Sequence, residues 1–200
     1  MKRFGAVAIV VAVVVAALVA GSGPLLRWFP VAVQPPVLGQ VPSFRLVSDN
    51  GAVFDSSSLD GRVWLASFLF TSCPGPCPRL VERLKSVRRS IPAERMAMVS
   101  FSVDPTVDTP AVLAAYKKAR GIGDDAAWTF VTGPAEEVID LVQHGFLTGV
   151  QASDAPEDEG AVIHGVRVAL VDGERRIRGF YSTENDEDLR RLESEVAALQ

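Results

Sequence analysis

Three observations predict an α/β fold built on a mostly parallel sheet. Apolar runs of strand length alternate with stretches of helical periodicity between residues 63 and 143. The run Val63-Trp64-Leu65-Ala66-Ser67-Phe68-Leu69-Phe70 is apolar almost throughout. That marks a parallel strand covered on both faces rather than one with a wet side. Near the C-terminus, Asp172-Gly173 stands between two alternating runs, the signal of a hairpin, and a charged helix follows.

The elements follow in order. Ser43–Val47 and Ala52–Phe54 read as an N-terminal hairpin around Ser48-Asp49-Asn50-Gly51. Leu59-Asp60-Gly61 turns into the buried strand 63–70. A helix follows to about Ser90, because Leu80, Val81, Leu84 and Val87 share one face. Met96–Val103 is a second apolar strand. Asp108-Thr109-Pro110 opens the next helix with a capping side chain and proline at the first position. Trp128–Val131 is a third strand and Ala135–Gln143 an amphipathic helix. Val166–Val171 and Arg176–Tyr181 form the closing hairpin, and Asp186–Leu199 the last helix. The order β-α-β-α-β-α-β-β-α calls for a parallel-core sheet with helices on both faces, the N-terminal hairpin being an addition.

Residues 1–26 stand apart. After Lys2 and Arg3 there is no charged side chain from Phe4 to Leu26. As a helix that stretch is about 34 Å long, enough to span a bilayer core. A secretory signal is the competing reading, since Ala20, Gly21 and Ser22 form a cleavage-site pattern, but its apolar part would be long for a signal. Either way the remainder is exported, with Lys2 and Arg3 left in the cytoplasm. The expected location is a bacterial inner membrane, with the domain on the periplasmic side. Residues 27–42, with Pro30, Pro35, Pro36 and Pro42, read as an extended tether, and 43–200 as one domain. A net charge of −4 and a pI near 5.2 give no reason to expect nucleic acid.

The only two cysteines, Cys73 and Cys77, lie at the turn between the first buried strand and its helix. In an α/β sheet that is where ligands and chemistry gather. A redox-type cysteine motif after that strand makes the fold thioredoxin-like. Export makes a structural bridge the first alternative. It is the least favoured, because a domain of this size has a core and a three-residue gap closes too short a loop to matter. Wound onto a helix, positions i and i+4 bring the sulfurs to one face, fit for a soft metal or a disulfide. Pro74, Pro76 and Pro78 stiffen the loop, and the helix N-terminus lowers the pKa of Cys73.

Two thiolates alone do not complete a metal site, and the chain has two histidines. His144, at the end of an amphipathic helix and off its apolar stripe, reads as a solvated surface residue. His164 enters the strand 166–171 and is the better third ligand, with an ordinary loop histidine as the alternative. A Cys₂His set favours copper(I), with zinc plus a fourth ligand as the rival. Asp104 has a functional reading at the sheet edge, but the favoured reading is turn chemistry, with Asp108 or Thr109 capping the next helix. The acidic stretch Asp154, Glu157, Asp158 and Glu159 reads as a solvated loop.

Four blocks in order carry a resemblance. They are Phe70-Thr71-Ser72-Cys73-Pro74-Gly75-Pro76-Cys77-Pro78; Val99–Pro110, with Asp104-Pro105-Thr106-Val107-Asp108-Thr109-Pro110; Trp128–Gly133; and His164 with Val168–Gly173 and Ile177–Tyr181. In them the chain resembles the Sco/SenC family of membrane-anchored copper proteins. The resemblance implies a thioredoxin-like fold, an N-terminal anchor, and copper held by Cys73, Cys77 and His164. It implies a part in building the dinuclear copper site of cytochrome c oxidase subunit II, by copper delivery or by reducing thiols, alongside other copper-handling or thiol-redox partners. Ile163 and Gly165 depart from the acidic residue and serine that usually flank the family's histidine. A thiol–disulfide oxidoreductase using Cys73 and Cys77 without metal is the alternative, and a peroxide-reducing or redox-sensing relative a third.

Overall fold

A computed structural model of the chain describes residues 34–123, 125–146 and 167–200. In chain order the elements are β1 (Gly39–Gln40), β2 (Arg45–Ser48), β3 (Val53–Asp55), β4 (Trp64–Leu69), α1 (Pro76–Ser90), β5 (Ala97–Ser102) and α2 (Pro110–Ala119). Then come β6 (Trp128–Thr132), α3 (Ala135–Asp140), β7 (Arg167–Val171), β8 (Arg176–Ser182) and α4 (Asp186–Ala198). The strands form one sheet in the order β1-β8-β7-β4-β5-β6-β2-β3. β4, β5 and β6 run parallel, and every other neighbouring pair is antiparallel. The α/β class, the parallel core and both hairpins stand as expected.

Side chains of β4 are buried on both faces, as its apolar run requires. Leu65 and Leu69 pack with Leu80, Val81, Leu84 and Val87 of α1, Leu113 of α2, and Leu192 and Val196 of α4. Trp64, Ala66 and Phe68 face the other way, into a layer closed by Val138 of α3 and by Leu141, Val142 and Phe146. Helices therefore cover both faces. Phe101 of β5 is the hub of that second layer, its ring centroid 5.2 Å from Phe146, 5.5 Å from Phe44 and 5.7 Å from Phe68. Fully burying each such side chain stabilises by roughly 1.5–3 kcal/mol. The buried hydroxyls between β4 and β5 are satisfied: Ser67 and Ser100 share a 2.8 Å hydrogen bond, and Trp128 Nε1 donates to Ser100.

Two segments differ from expectation. Prolines do keep residues 34–42 extended, but this stretch is docked, not free. Leu38 N–H donates to Ile177 O (2.8 Å), Val41 N–H to Arg175 O (2.9 Å), and Arg178 Nη1 to Pro35 O (2.7 Å). The same Arg178 makes a buried 2.6 Å ion pair with Asp172. A two-residue strand paired with β8 is too short for any periodicity to reveal. The helix expected over 135–143 stops being regular at Asp140, and Leu141–Gly145 is a π-helical turn closed by Phe146 N–H onto Leu141 O. The extra residue lets Leu141, Val142 and Phe146 all reach the core.

Residues 1–26, the acidic stretch 154–159 and His164 lie outside the described residues. Among the described residues no helix is long and apolar enough to cross a membrane.

Candidate dithiol and metal site

The site begins where β4 ends. Phe70–Gly75 makes the turn, and α1 starts with Pro76 after a glycine cap whose φ and ψ are −144° and −69°. A helix start leaves several N–H groups without a partner. Here Pro76 and Pro78 have no N–H, and between them the Cys77 N–H donates to Cys73 Sγ at 3.4 Å. The Cys73 sulfur thus accepts from the helix start as a capping oxygen would, and of Pro76, Cys77 and Pro78 only Cys77 has an N–H to give it. Cys77 sits in the first helical turn rather than both cysteines lying on one helix face. Both thiols are free, with Cys73 7% exposed and Cys77 fully buried.

Their electrostatics diverge. Burial pushes the Cys73 thiol up, but the Cys77 thiol, the Cys77 and Gly75 N–H groups and the Arg79 guanidinium outweigh it, leaving Cys73 below the usual thiol value. Cys77 is driven well above that value by its own burial first, then by the hydrogen bond with Cys73 and by the negative charge of Asp108. The helix-start expectation for Cys73 holds in direction, and the pair divides into one thiol shifted down and one shifted up.

Of the two capping candidates, Thr109 is the cap and Asp108 is not. Thr109 caps α2, its Oγ1 accepting from Val112 N–H at 3.4 Å. The Asp108 carboxylate is fully buried instead, accepting from Thr71 N–H (3.1 Å), from Thr71 Oγ1 and from Ser102 Oγ (2.6 Å). The signal in the sequence was redundancy: Thr109 already supplies the cap ahead of Pro110, leaving Asp108 over. Asp104 does behave as turn chemistry, its carboxylate accepting from Thr106 Oγ1 at 2.8 Å and its carbonyl from Val107 N–H. Tyr116 of α2 was not singled out by sequence either. It joins the same buried cluster as both cysteines, and its hydroxyl is buried without a hydrogen-bond partner among the described residues.

His144 is a surface residue, exposed and 2.8 Å from Asp140. Among the described residues no group of three or more His, Cys, Asp or Glu side chains is placed to hold a metal ion. The described donor set is two soft sulfurs at one turn, which fits a thiophilic ion and lacks a third ligand.

With this geometry in view, comparison decides the family. Residues 36–198 match the SCO1/SenC family. The chain belongs to that family. The SCO1 protein homolog of Bacillus subtilis is 29% identical over 153 residues, covering 75% of this chain and 77% of its own. The BsSco structure, of a Sco family of cytochrome c oxidase assembly proteins and described for its disulfide switch, has a TM-score of 0.69 at 26% identity, covering 84% of this chain and 96% of that one. Copper-bound ScoI of Bradyrhizobium japonicum shares the fold, with a TM-score of 0.56 at 24% identity over 76% of this chain and 99% of that one. The Sco structures confirm the thioredoxin-like expectation.

Proposed function

We propose that this SCO1/SenC protein is an exported, membrane-tethered copper carrier acting in the assembly of cytochrome c oxidase. Copper is its cargo, held by Cys73, Cys77 and His164 and delivered to the dinuclear copper site of subunit II. The observation that carries this reading is the turn itself: two thiols four residues apart, shielded from water, with a backbone N–H aimed at one sulfur. Thiolate sulfur selects copper(I) over hard cations, and an imidazole nitrogen completes a three-coordinate set. The copper-bound relatives and a Stutzerimonas stutzeri protein named for copper binding, 30% identical over 142 residues, support it. The charge-free stretch 4–26 supports the tether and export.

The chain's own residues do the following. The N–H of Cys77 stabilises negative charge on Cys73 sulfur, so Cys73 is the first donor. Cys77 gives up its proton on loading, because burial and Asp108 hold it protonated beforehand. Titrating the reduced full chain with copper(I) against a competing chelator tests this. One copper per chain is expected, lost in Cys73→Ser and Cys77→Ser and weakened at least about tenfold in His164→Ala, about 1.4 kcal/mol. Unchanged stoichiometry and affinity in His164→Ala would remove it as a ligand.

The asymmetry of the two thiols favours a second reading, a thiol–disulfide oxidoreductase. Cys73 thiolate attacks a partner disulfide and releases one partner thiol. Cys77 then attacks Cys73 sulfur, releasing the second thiol and leaving a Cys73–Cys77 disulfide. This chemistry needs no histidine, so disulfide-reducing activity that survives His164→Ala supports it.

A further inference from the structure

The Phe70–Thr71 peptide group is held at both ends. Its N–H, on Thr71, points to the Asp108 carboxylate at 3.1 and 3.3 Å. Its carbonyl, on Phe70, accepts the Cys73 N–H at 3.3 Å. A trans peptide is a rigid plate with N–H and C=O on opposite edges, so fixing one edge aims the other. Thr71 Oγ1 donates to the same carboxylate, and Ser102 Oγ ties it to the end of β5. The Thr71 N–H reaches both of these oxygens and can only donate, which suits an acceptor-only carboxylate and not an amide. Its hydrogen-bond donors are all neutral and it lies fully buried, an arrangement that costs stability. A residue kept at such a cost next to the thiol turn needs a reason.

We propose that Asp108 is the positioning residue of the thiol pair, holding Cys73 against Cys77 through the Phe70–Thr71 peptide and thereby favouring the Cys73–Cys77 disulfide. The role concerns the pair itself and stands whether the pair carries copper or electrons. Glutathione disulfide is the oxidant of the test. Two electrons pass from the two thiols to its S–S bond, the thiol protons end on two glutathione thiols, and one protein S–S bond forms.

The equilibrium constant of that exchange is measured on the full chain, with thermal unfolding in parallel. In Asp108→Asn an NH₂ must face a donor, the peptide loses its anchor and the constant falls about tenfold, a rise of about 30 mV in reduction potential. Thr71→Val, which removes only the hydroxyl, lowers it by a smaller factor, and Thr71→Ser, which keeps both donors, restores the wild-type value. Asp172→Asn, which breaks a distant ion pair, lowers the unfolding temperature and leaves the constant unchanged. An Asp108→Asn constant within twofold of wild type overturns the proposal, as does an equal shift in Asp172→Asn. If Asp108→Asn does not fold, the Thr71 variants decide: Val equal to Ser overturns it. A failed copper titration leaves this constant untouched, so the two readings fail separately.

Discussion

The N–H of Cys77 points at the sulfur of Cys73 across 3.4 Å, between two prolines that have no N–H to offer. One helix start therefore supplies both the hydrogen bond that favours a Cys73 thiolate and the buried position that disfavours one at Cys77. A pair built this way has a nucleophile and a partner, not two equal thiols.

That asymmetry sets the order of modification. With its ionisation shifted down, Cys73 carries more thiolate at a given pH than a free cysteine, so its alkylation rises at lower pH. Cys77, shifted up and fully buried, lags. Iodoacetamide labelling of the reduced chain, followed by peptide mass spectrometry from pH 5 to 9, should mark Cys73 at least about tenfold faster than Cys77 at pH 7. Equal rates would contradict the asymmetry.

Asp172 and Arg178 pin residues 34–42 to β8. Removing one member of a buried pair leaves an unpaired charge, so Asp172→Ala should cost about 3–5 kcal/mol in urea unfolding. Burial alone would raise the Asp172 pKa, but N–H groups and both arginines hold it below the usual carboxylate value. A depressed carboxylate contributes its stability above the unfolded pKa, near 3.9, and loses it as pH falls through the folded value. Wild type should therefore lose stability below about pH 4 more steeply than Asp172→Asn. Parallel pH profiles would remove the pair from the account.

Capping and positioning separate at neighbouring residues. Thr109→Ala removes the α2 cap and should cost about 1 kcal/mol while leaving the thiol–disulfide equilibrium as it was. A shift in that equilibrium would mean the whole helix start, rather than Asp108, sets the turn.

Gly179 makes room for Tyr181. A methyl there would meet the ring at Cζ within 2.6 Å and the hydroxyl closer still, and that hydroxyl donates to Glu195 of α4. Gly179→Ala should destabilise by about 1–3 kcal/mol through displacement of a buried ring. Wild-type stability would mean the ring moves aside freely.

Much of this was legible in the chain. The unbroken apolar run 63–70 marks a doubly covered strand, and Thr109-Pro110 marks a helix start, because burial and capping leave local signatures. Strand β1 leaves none, since two residues paired to a strand far along the chain, Gly39 with Ile177 and Gln40 with Arg176, carry no period of their own. The π-helical turn is likewise invisible, because its apolar residues still repeat at near-helical spacing and only the packing of Phe146 selects the extra residue. At the site, Cys73 and Cys77 announce themselves by type and spacing. Asp108 does not: its role depends on where β4 and β5 end in space, and an Asp ahead of Thr-Pro looks like a cap.

Copper held at this turn by two sulfurs and one imidazole is the proposal on which the function rests. X-ray absorption on the reduced full chain loaded with one equivalent of copper(I), alongside His164→Ala, tests it most directly. Two sulfur neighbours and one nitrogen are expected in the wild type, with the nitrogen lost in the variant. A wild-type spectrum without two sulfur neighbours, or an identical spectrum from His164→Ala, would contradict it.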